Sequence, residues 1–448
     1  MRYLFLFYFS FTQLFSVGQM DYLTDYIPYD TCSFDTHPIL NIKTWVHVVQ
    51  KSESKPENIT IDSINYLKRQ YNWINQMYGQ LKPPSVENQN GEKPYIKDAR
   101  IRFILDTISF HIDENSWDRI KVSTIENPKK WLEILKIDSD SSTILIKGVR
   151  NRYRPILDSI IVRNTKFNDG LHYVERLKKY GRNTLIFLKD EVLVSEDTIG
   201  IITYYQKIDK NCNKDNWEKY TQKDKNFLHV FYTGSSENGP AFGCGPSPFF
   251  LNLSKVINNG GYATAQLTAH ELGHCIGLRH TNTPQFKDLP KGDKFGWIKC
   301  NNSNTSNNIM GYNTCRNYLS PLQIAHVHYR YSNINSLANT IKTASNQKHD
   351  IYINSPTSWN KSIICSGNVI VKKKQTLTIT EKIIIPENGY ILLEKKAKII
   401  VNGGKILSLQ NKWEGIIKCK SEYSRNKLPK KDKNKPEVNL LNNGEIIY

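Results

Sequence analysis

Residues 270–280 read HELGHCIGLRH. On a helix, residues four apart share a face, so His270 and His274 present two imidazoles to one point. Glu271 stands to the side of that pair, where a carboxylate can take a proton from a metal-activated water without ligating the metal itself. Gly277 follows His274 by three residues and can end the helix in a left-handed turn that a β-carbon resists. The chain can then swing back and bring His280 to the metal from another direction. Three neutral imidazoles leave a fourth position for water, which is the open arrangement of catalytic zinc and not the closed one of structural zinc. A lone HExxH is weak evidence; the added glycine and third histidine make a chance match rare.

Several elements must position these groups. TAQLTAHELGHCIGLRH has apolar faces at Ala265, Leu267, Ala269, Leu272, Cys275, Ile276 and Leu278 and reads as the active-site helix. Before it come a strand, NFLHVFYTG (226–234), a Gly/Pro-rich loop, ENGPAFGCGPSP, and a short strand, FFLNLSKV. After it LSPLQIAHVHYRYS (319–332) reads as a closing helix with Ser320 as N-cap and Pro321 at its first position. Near the start, LNIKTWVHVV (40–49) alternates as a strand. A helix follows, with Ile61, Ile64, Leu67, Tyr71, Ile74 and Met77 at helical spacing and Thr60 as its N-cap. Residues 98–113 read as one or two strands. The region 114–215 carries no motif; NPKKWLEILKI reads as a helix there, and STILIKG and NTLIFLKDE as strands. From about residue 350 short alternating strands follow one another with turn residues between them, the texture of a small β-solenoid or a sandwich.

HExxHxxGxxH is the zinc signature of the metzincin metallopeptidases, and the chain resembles that family. The resemblance requires a methionine turn downstream, and NNIMGYN (307–313) supplies Met310 with Tyr312 two residues on. The closest likeness is to the pappalysin-like (cytophagalysin) group, carried by the His280-Thr281 junction, IMGYN, Cys300 and Cys315 around it, and LSPLQIAHVH. The likeness is good over 225–332 and weaker over 40–113. It implies an α+β, two-lobed catalytic domain with a mixed sheet and an active-site helix. It also implies a secreted endopeptidase in which one zinc ion is held by His270, His274 and His280. Glu271 would be the general base, Tyr312 would hold the developing oxyanion, and an edge strand in SPFFLNLSKV would bind substrate in extended form. Members of the group can cap the zinc with a cysteine in a short pro-segment; Cys32 lies in the right part of the chain, without the basic and glycine neighbours of that motif. No acidic cluster follows His280, so a calcium ion has no motif behind it.

Length and composition bound the rest. With 448 residues and 39% hydrophobic content the chain is long enough for two or three folded units and is not of disordered composition. Residues 1–19 have the form of a signal peptide, basic at Arg2 and apolar from Tyr3 to Phe15, with cleavage expected near Gly18 or Gln19. The expected order is a pro-segment or extension (20–39), the catalytic domain (40–335) with an insertion around 114–215, a linker (336–352) and an all-β domain (353–448). Eight cysteines fit an extracellular protein, and Cys300 with Cys315 is the first pair to consider. The net charge of +19 is spread over the whole chain, so it reads as compositional bias and not as a specific nucleic-acid surface. No later segment is apolar enough to cross a membrane. The expected partner is a protein or peptide substrate, with cell-surface or glycan contact through the C-terminal domain. The competing class is an adhesion or glycan-binding protein with a vestigial metal site, in which Glu271 would have no role.

Overall fold

The computed structural model describes residues 21–52, 58–117, 120–124, 133–148, 159–189, 193–197, 200–209, 214–234, 242–254, 261–282, 284–291, 293, 305–342, 350–408, 412–418 and 435–448. Residues 1–20 and Cys300, Cys212 and Cys419 lie outside them. The chain is mixed α/β with more strand than helix, and it forms two compact units.

The larger unit is built on a five-stranded sheet. Strands β1 (Leu40–Gln50) and β2 (Ile101–Ile112) pair in parallel, and β3 (Leu228–Thr233) joins the other side of β1. Strand β5 (Phe250–Ser254) runs parallel to β3, and β4 (Phe242–Ser247) closes the sheet antiparallel to β5. The order is therefore β4-β5-β3-β1-β2, and β4 is an edge. This corrects the sequence reading: SPFFLNLSKV lies inside the sheet, and the edge comes from the Gly/Pro-rich stretch expected to be a loop. A turn at 248–249 folds that stretch back on β5, and pairing supplies the extended conformation that its composition does not favour.

Helices α1 (Ile64–Gly79) and α3 (Gly261–Cys275) cover one face, and α4 (Pro321–Asn333) joins the same core. The periodicity of α1 buries Leu67, Tyr71, Ile74 and Met77 with Val46, Val48 and Leu272 in one core. A 3-10 turn (Ile61–Ser63) precedes α1, and Thr60 makes no side-chain cap there. Helix α4 begins at a capping box: Gln323 N–H donates to Ser320 Oγ, and Ser320 N–H donates to Gln323 Oε1. A short helix, α2 (Asp215–Thr221), packs on the opposite face through Tyr220, which stacks on His111.

The strands described between Ile351 and Ile446 form a parallel β-solenoid. Its strands contribute in turn to three four-stranded sheets, each built from every third strand, so successive coils stack in register. Its core is a column of inward Ile, Val and Leu side chains, Ile363, Ile383 and Ile406 among them. Outward residues Ile364, Ile384 and Leu407 join the core of the five-stranded sheet and its helices. Of the expected linker (336–352), residues 343–349 lie outside the described residues; before them Asn335–Ala338 is helical, and the backbone of 340–342 bonds to Asn41 and Lys43 of β1.

The smaller unit holds residues 114–213 and 235–237. It is a seven-stranded antiparallel sheet in the order 120–124, 201–209, 159–163, 170–180, 183–188, 143–146, 134–138, with its own core at Ile137, Ile144, Ile160, Val162 and Ile186. Ile134–Asp138, expected at the end of a helix, is a strand because Thr143–Ile146 pairs with it.

Candidate metal centre

Helix α3 carries His270, Glu271 and His274 and is almost wholly buried. Tyr78 of α1 ties it down by donating from Oη to the Ala269 carbonyl at 2.9 Å. Its end is a hydrogen-bonded reversal: Gly277 N–H donates to the His274 carbonyl (3.0 Å) and Leu278 N–H to the Gly273 carbonyl (2.9 Å). Gly277 has φ +103, and a β-carbon there would stand 2.7 Å from Arg330 Nε. This reversal brings His280 back over the helix.

The three imidazoles converge. His280 Nε2 lies 2.9 Å from His274 Nε2 and 3.1 Å from His270 Nε2. His270 Nδ1 faces the Ile309 carbonyl and His274 Nδ1 the Leu278 carbonyl, each at 2.8 Å. A carbonyl only accepts, so both Nδ1 atoms hold the proton and both Nε2 atoms are bare. Bare nitrogens crowded together repel, and a cation between them removes the repulsion. Nitrogens bound at about 2.0–2.1 Å in a tetrahedron stand about 3.3 Å apart, close to the separations seen. The donor set therefore fits zinc, and the carbonyls are the outer partners that orient such ligands.

Met310 is fully buried, and its sulfur packs against Gly273, between the two helical histidines. Asn308 Oδ1 accepts from Met310 N–H and holds the turn, while Ile309 in the same turn orients His270. Tyr312 Oη lies 3.2 Å from His280 Nε2.

No protein-family model, curated protein or solved structure matches the chain.

The electrostatics follow from burial. Burial pushes the Glu271 carboxyl up to about 7, opposed by the Arg316 charge and the Gly245 N–H. Burial holds His280 near 4, and the charges of His274 and Arg316 add to the effect; His270 and His274 are also lowered, burial again being the first cause. All three rings are therefore neutral and ready to ligate.

Two features had no signal in the motif. Arg316 is buried beneath the site, where it donates to the carbonyls of Gln266 on α3 (3.0 Å) and Gly311 in the methionine turn (3.3 Å). Strand β4 passes so close to α3 that β-carbons on Gly243 and Gly245 would fall 2.6 Å from Glu271 Cγ and the Glu271 carbonyl oxygen respectively. The paired glycines of FGCGPS were the available clue to that approach.

Cys32 does not join the histidine group. Its thiol is free and faces the Ile27 carbonyl at 3.8 Å. Its segment is gathered by Arg100, whose guanidinium donates to the carbonyls of Cys32 (2.8 Å), Ser33 (3.2 Å) and His37 (2.6 Å). The arrangement gives the residue a place in a structural strap and not at the metal centre. Cys244 and Cys315 each take part in a disulfide; Cys300, the expected partner of Cys315, lies outside the described residues. Cys275 is a free, buried thiol against the Phe250 carbonyl, a core residue of α3.

Replacing Gly277 by Ala is expected to cost about 1–3 kcal/mol, since it forces a β-carbon into a left-handed residue. Because the same turn delivers His280, zinc affinity should fall at least tenfold in a chelator-competition titration. Unchanged affinity would show that His280 is positioned without that turn.

Proposed function

We propose that the chain is a secreted, zinc-dependent endopeptidase of the metzincin, pappalysin-like type, acting on extended segments of protein substrates. One observation carries this reading: three imidazole Nε2 atoms converge beside a buried carboxylate, Glu271, that is not one of the ligand group. A structural site has no use for such a group. The two disulfide-bonded cysteines support an oxidising compartment.

His270, His274 and His280 would hold the zinc ion, which when bound would supply Lewis-acid polarisation of the scissile carbonyl and acidify the attacking water. Glu271 takes the water proton and passes it to the leaving amine. Its carboxyl is held by the Gly245 backbone and the wall of β4, so it has little freedom to turn away. Tyr312, half-buried beside His280, donates its hydroxyl to the oxyanion as it develops. The outer edge of β4 accepts a substrate strand by backbone hydrogen bonds.

The purified protein should contain one zinc per chain and cleave an unfolded generic protein substrate. A chelator should stop cleavage and added zinc restore it. Purified wild type without zinc, or cleavage indifferent to the chelator, would sink the proposal.

A further inference from the structure

Three histidines outside the metal centre lie in series on the face of the five-stranded sheet opposite α1 and α3. His229 Nε2 meets the Asp224 carbonyl at 3.2 Å, His229 Nδ1 meets His47 Nε2 at 2.9 Å, and His47 Nδ1 meets His111 Nε2 at 2.9 Å. The carbonyl fixes the direction of the whole series. It can only accept, so His229 Nε2 holds the proton and a neutral His229 must accept at Nδ1. His47 therefore donates from Nε2 and accepts at Nδ1, and His111 donates from Nε2. Only His111 Nδ1, at the half-buried end, keeps a lone pair outside the series.

The surroundings are apolar except at the ends. His47 and His229 are fully buried. Trp45 and Phe231 stack on His47 at 5.1 and 4.6 Å between ring centres. His47 faces no ionisable group but the other two imidazoles, and His229 is faced by Asp224 as well. His111 is faced by Asp113, Lys219 and the Tyr220 ring, which stacks on it at 4.0 Å. Tyr220 Oη donates to Asp113 Oδ2 at 2.5 Å, and Lys219 pairs with the same carboxylate. The helix α2 is thus docked on the end of the histidine series. Asp113 is the last residue before the smaller unit and α2 the first helix after it.

We propose that His47, His111 and His229 form an acid-sensitive latch that holds α2 on the sheet. The latch stays closed while the series holds at most one added proton and opens when it takes a second. A first proton goes to His111 Nδ1 and breaks nothing, because that nitrogen is outside the series and the Asp113 charge favours the protonated ring. With His111 so charged, a second proton on His47 Nδ1 sets N–H against the N–H of His111, and one on His229 Nδ1 sets N–H against that of His47. Reversing the direction does not help, because the Asp224 carbonyl has no proton to give. The broken contact lies under Tyr220, so α2 loses its platform.

Burial lowers His229 to about 4 and His47 to about 2, both from an ordinary value of 6.5. The folded state therefore binds fewer protons than the unfolded one. The latch contributes its full stability above pH 6.5 and loses it progressively as the pH falls toward about 4.

Hydrogen-exchange protection factors on the full chain, measured from pH 7.5 down to 4.5, should show residues 215–221 losing protection before α1 does. Gln has one amide donor and one acceptor like a neutral imidazole but takes no proton. The double variant His47→Gln, His229→Gln should therefore shift that loss downward by about one pH unit, a tenfold change in proton concentration. His326 and His328 remain in both proteins, so the difference reads the latch alone. Coincident transitions in wild type and variant would overturn the proposal. If the variant does not fold, histidine-labelled NMR of the wild type decides. His47 and His229 should stay neutral while α2 is docked, and titration of either near 6.5 with α2 still protected overturns it.

Discussion

Glu271→Gln is expected to lower kcat for protein cleavage by about 10²–10⁴-fold, with zinc content and thermal midpoint close to wild type. The amide keeps the shape of the carboxylate and an oxygen for the Gly245 N–H, so the contact with β4 survives. What it loses is the ability to accept a proton. The three imidazoles that would hold the metal are oriented by Ile309, Leu278 and the Gly277 turn, none of which bonds to the Glu271 side chain. Metal binding and proton transfer are therefore separable. A loss of activity that tracks a loss of zinc would place Glu271 among the structural supports and remove it from the chemistry. Equal cleavage by both proteins would remove the endopeptidase reading altogether.

The strength of that separation depends on β4. In the five-stranded sheet this strand is the edge and also the wall of the carboxylate's niche. The backbone that would align a substrate strand and the backbone that restrains Glu271 are one piece of chain. A shift of β4 would move both together, which is why two glycines in contact with α3 matter more here than any single bond to the carboxylate.

The site was legible where its logic is local. His270, Glu271, His274, Gly277 and His280 sit on one helix and its exit, and their spacing alone describes a face and a turn. Met310 and Tyr312 were found because the histidine pattern said where to look. The carbonyls of Ile309 and Leu278 have no side-chain signature, and Arg316 is of a type expected at the surface. Strand β4 was misread because Gly and Pro usually signal loops, whereas here glycine is what lets a strand approach a helix. Cys32 was read by its place in the chain, and place in the chain does not say which side of the fold a segment crosses. The solenoid's short alternating strands were visible, but its attachment was not. The clue was Ile383-Ile384-Ile385: in an alternating strand three successive apolar residues mean that the outward one is covered as well.

That attachment leads to the second large effect. Ile384→Asp should destabilise the part of the chain that carries the histidine site, and not the solenoid alone, by on the order of 4 kcal/mol. Ile384 is fully buried, and with Ile364 and Leu407 it forms an outward row in contact with the core that α4 and the five-stranded sheet share. Polar contacts run beside that row. Ser362 N–H donates to Tyr26 Oη at 3.1 Å, and Lys382 Nζ donates to the Asn333 carbonyl at 2.7 Å, closing the C-terminal end of α4. Lys361 Nζ reaches the Asp25 carbonyl at 2.6 Å. The first solenoid coils, α4 and the N-terminal strap are therefore held as one body, and a carboxylate there puts a buried charge in place of apolar contact and competes with the carbonyls for Lys382. Amide exchange in α4 should rise along with exchange in the solenoid, and the thermal transition should move down as one. Ser358→Asp places the same charge on an exposed outward position and should stay within about 0.5 kcal/mol of wild type. If Ile384→Asp splits the transition and leaves α4 protected, the solenoid is an appendage. A single lowered transition means that the core around the three histidines depends on a β-domain far from them in sequence.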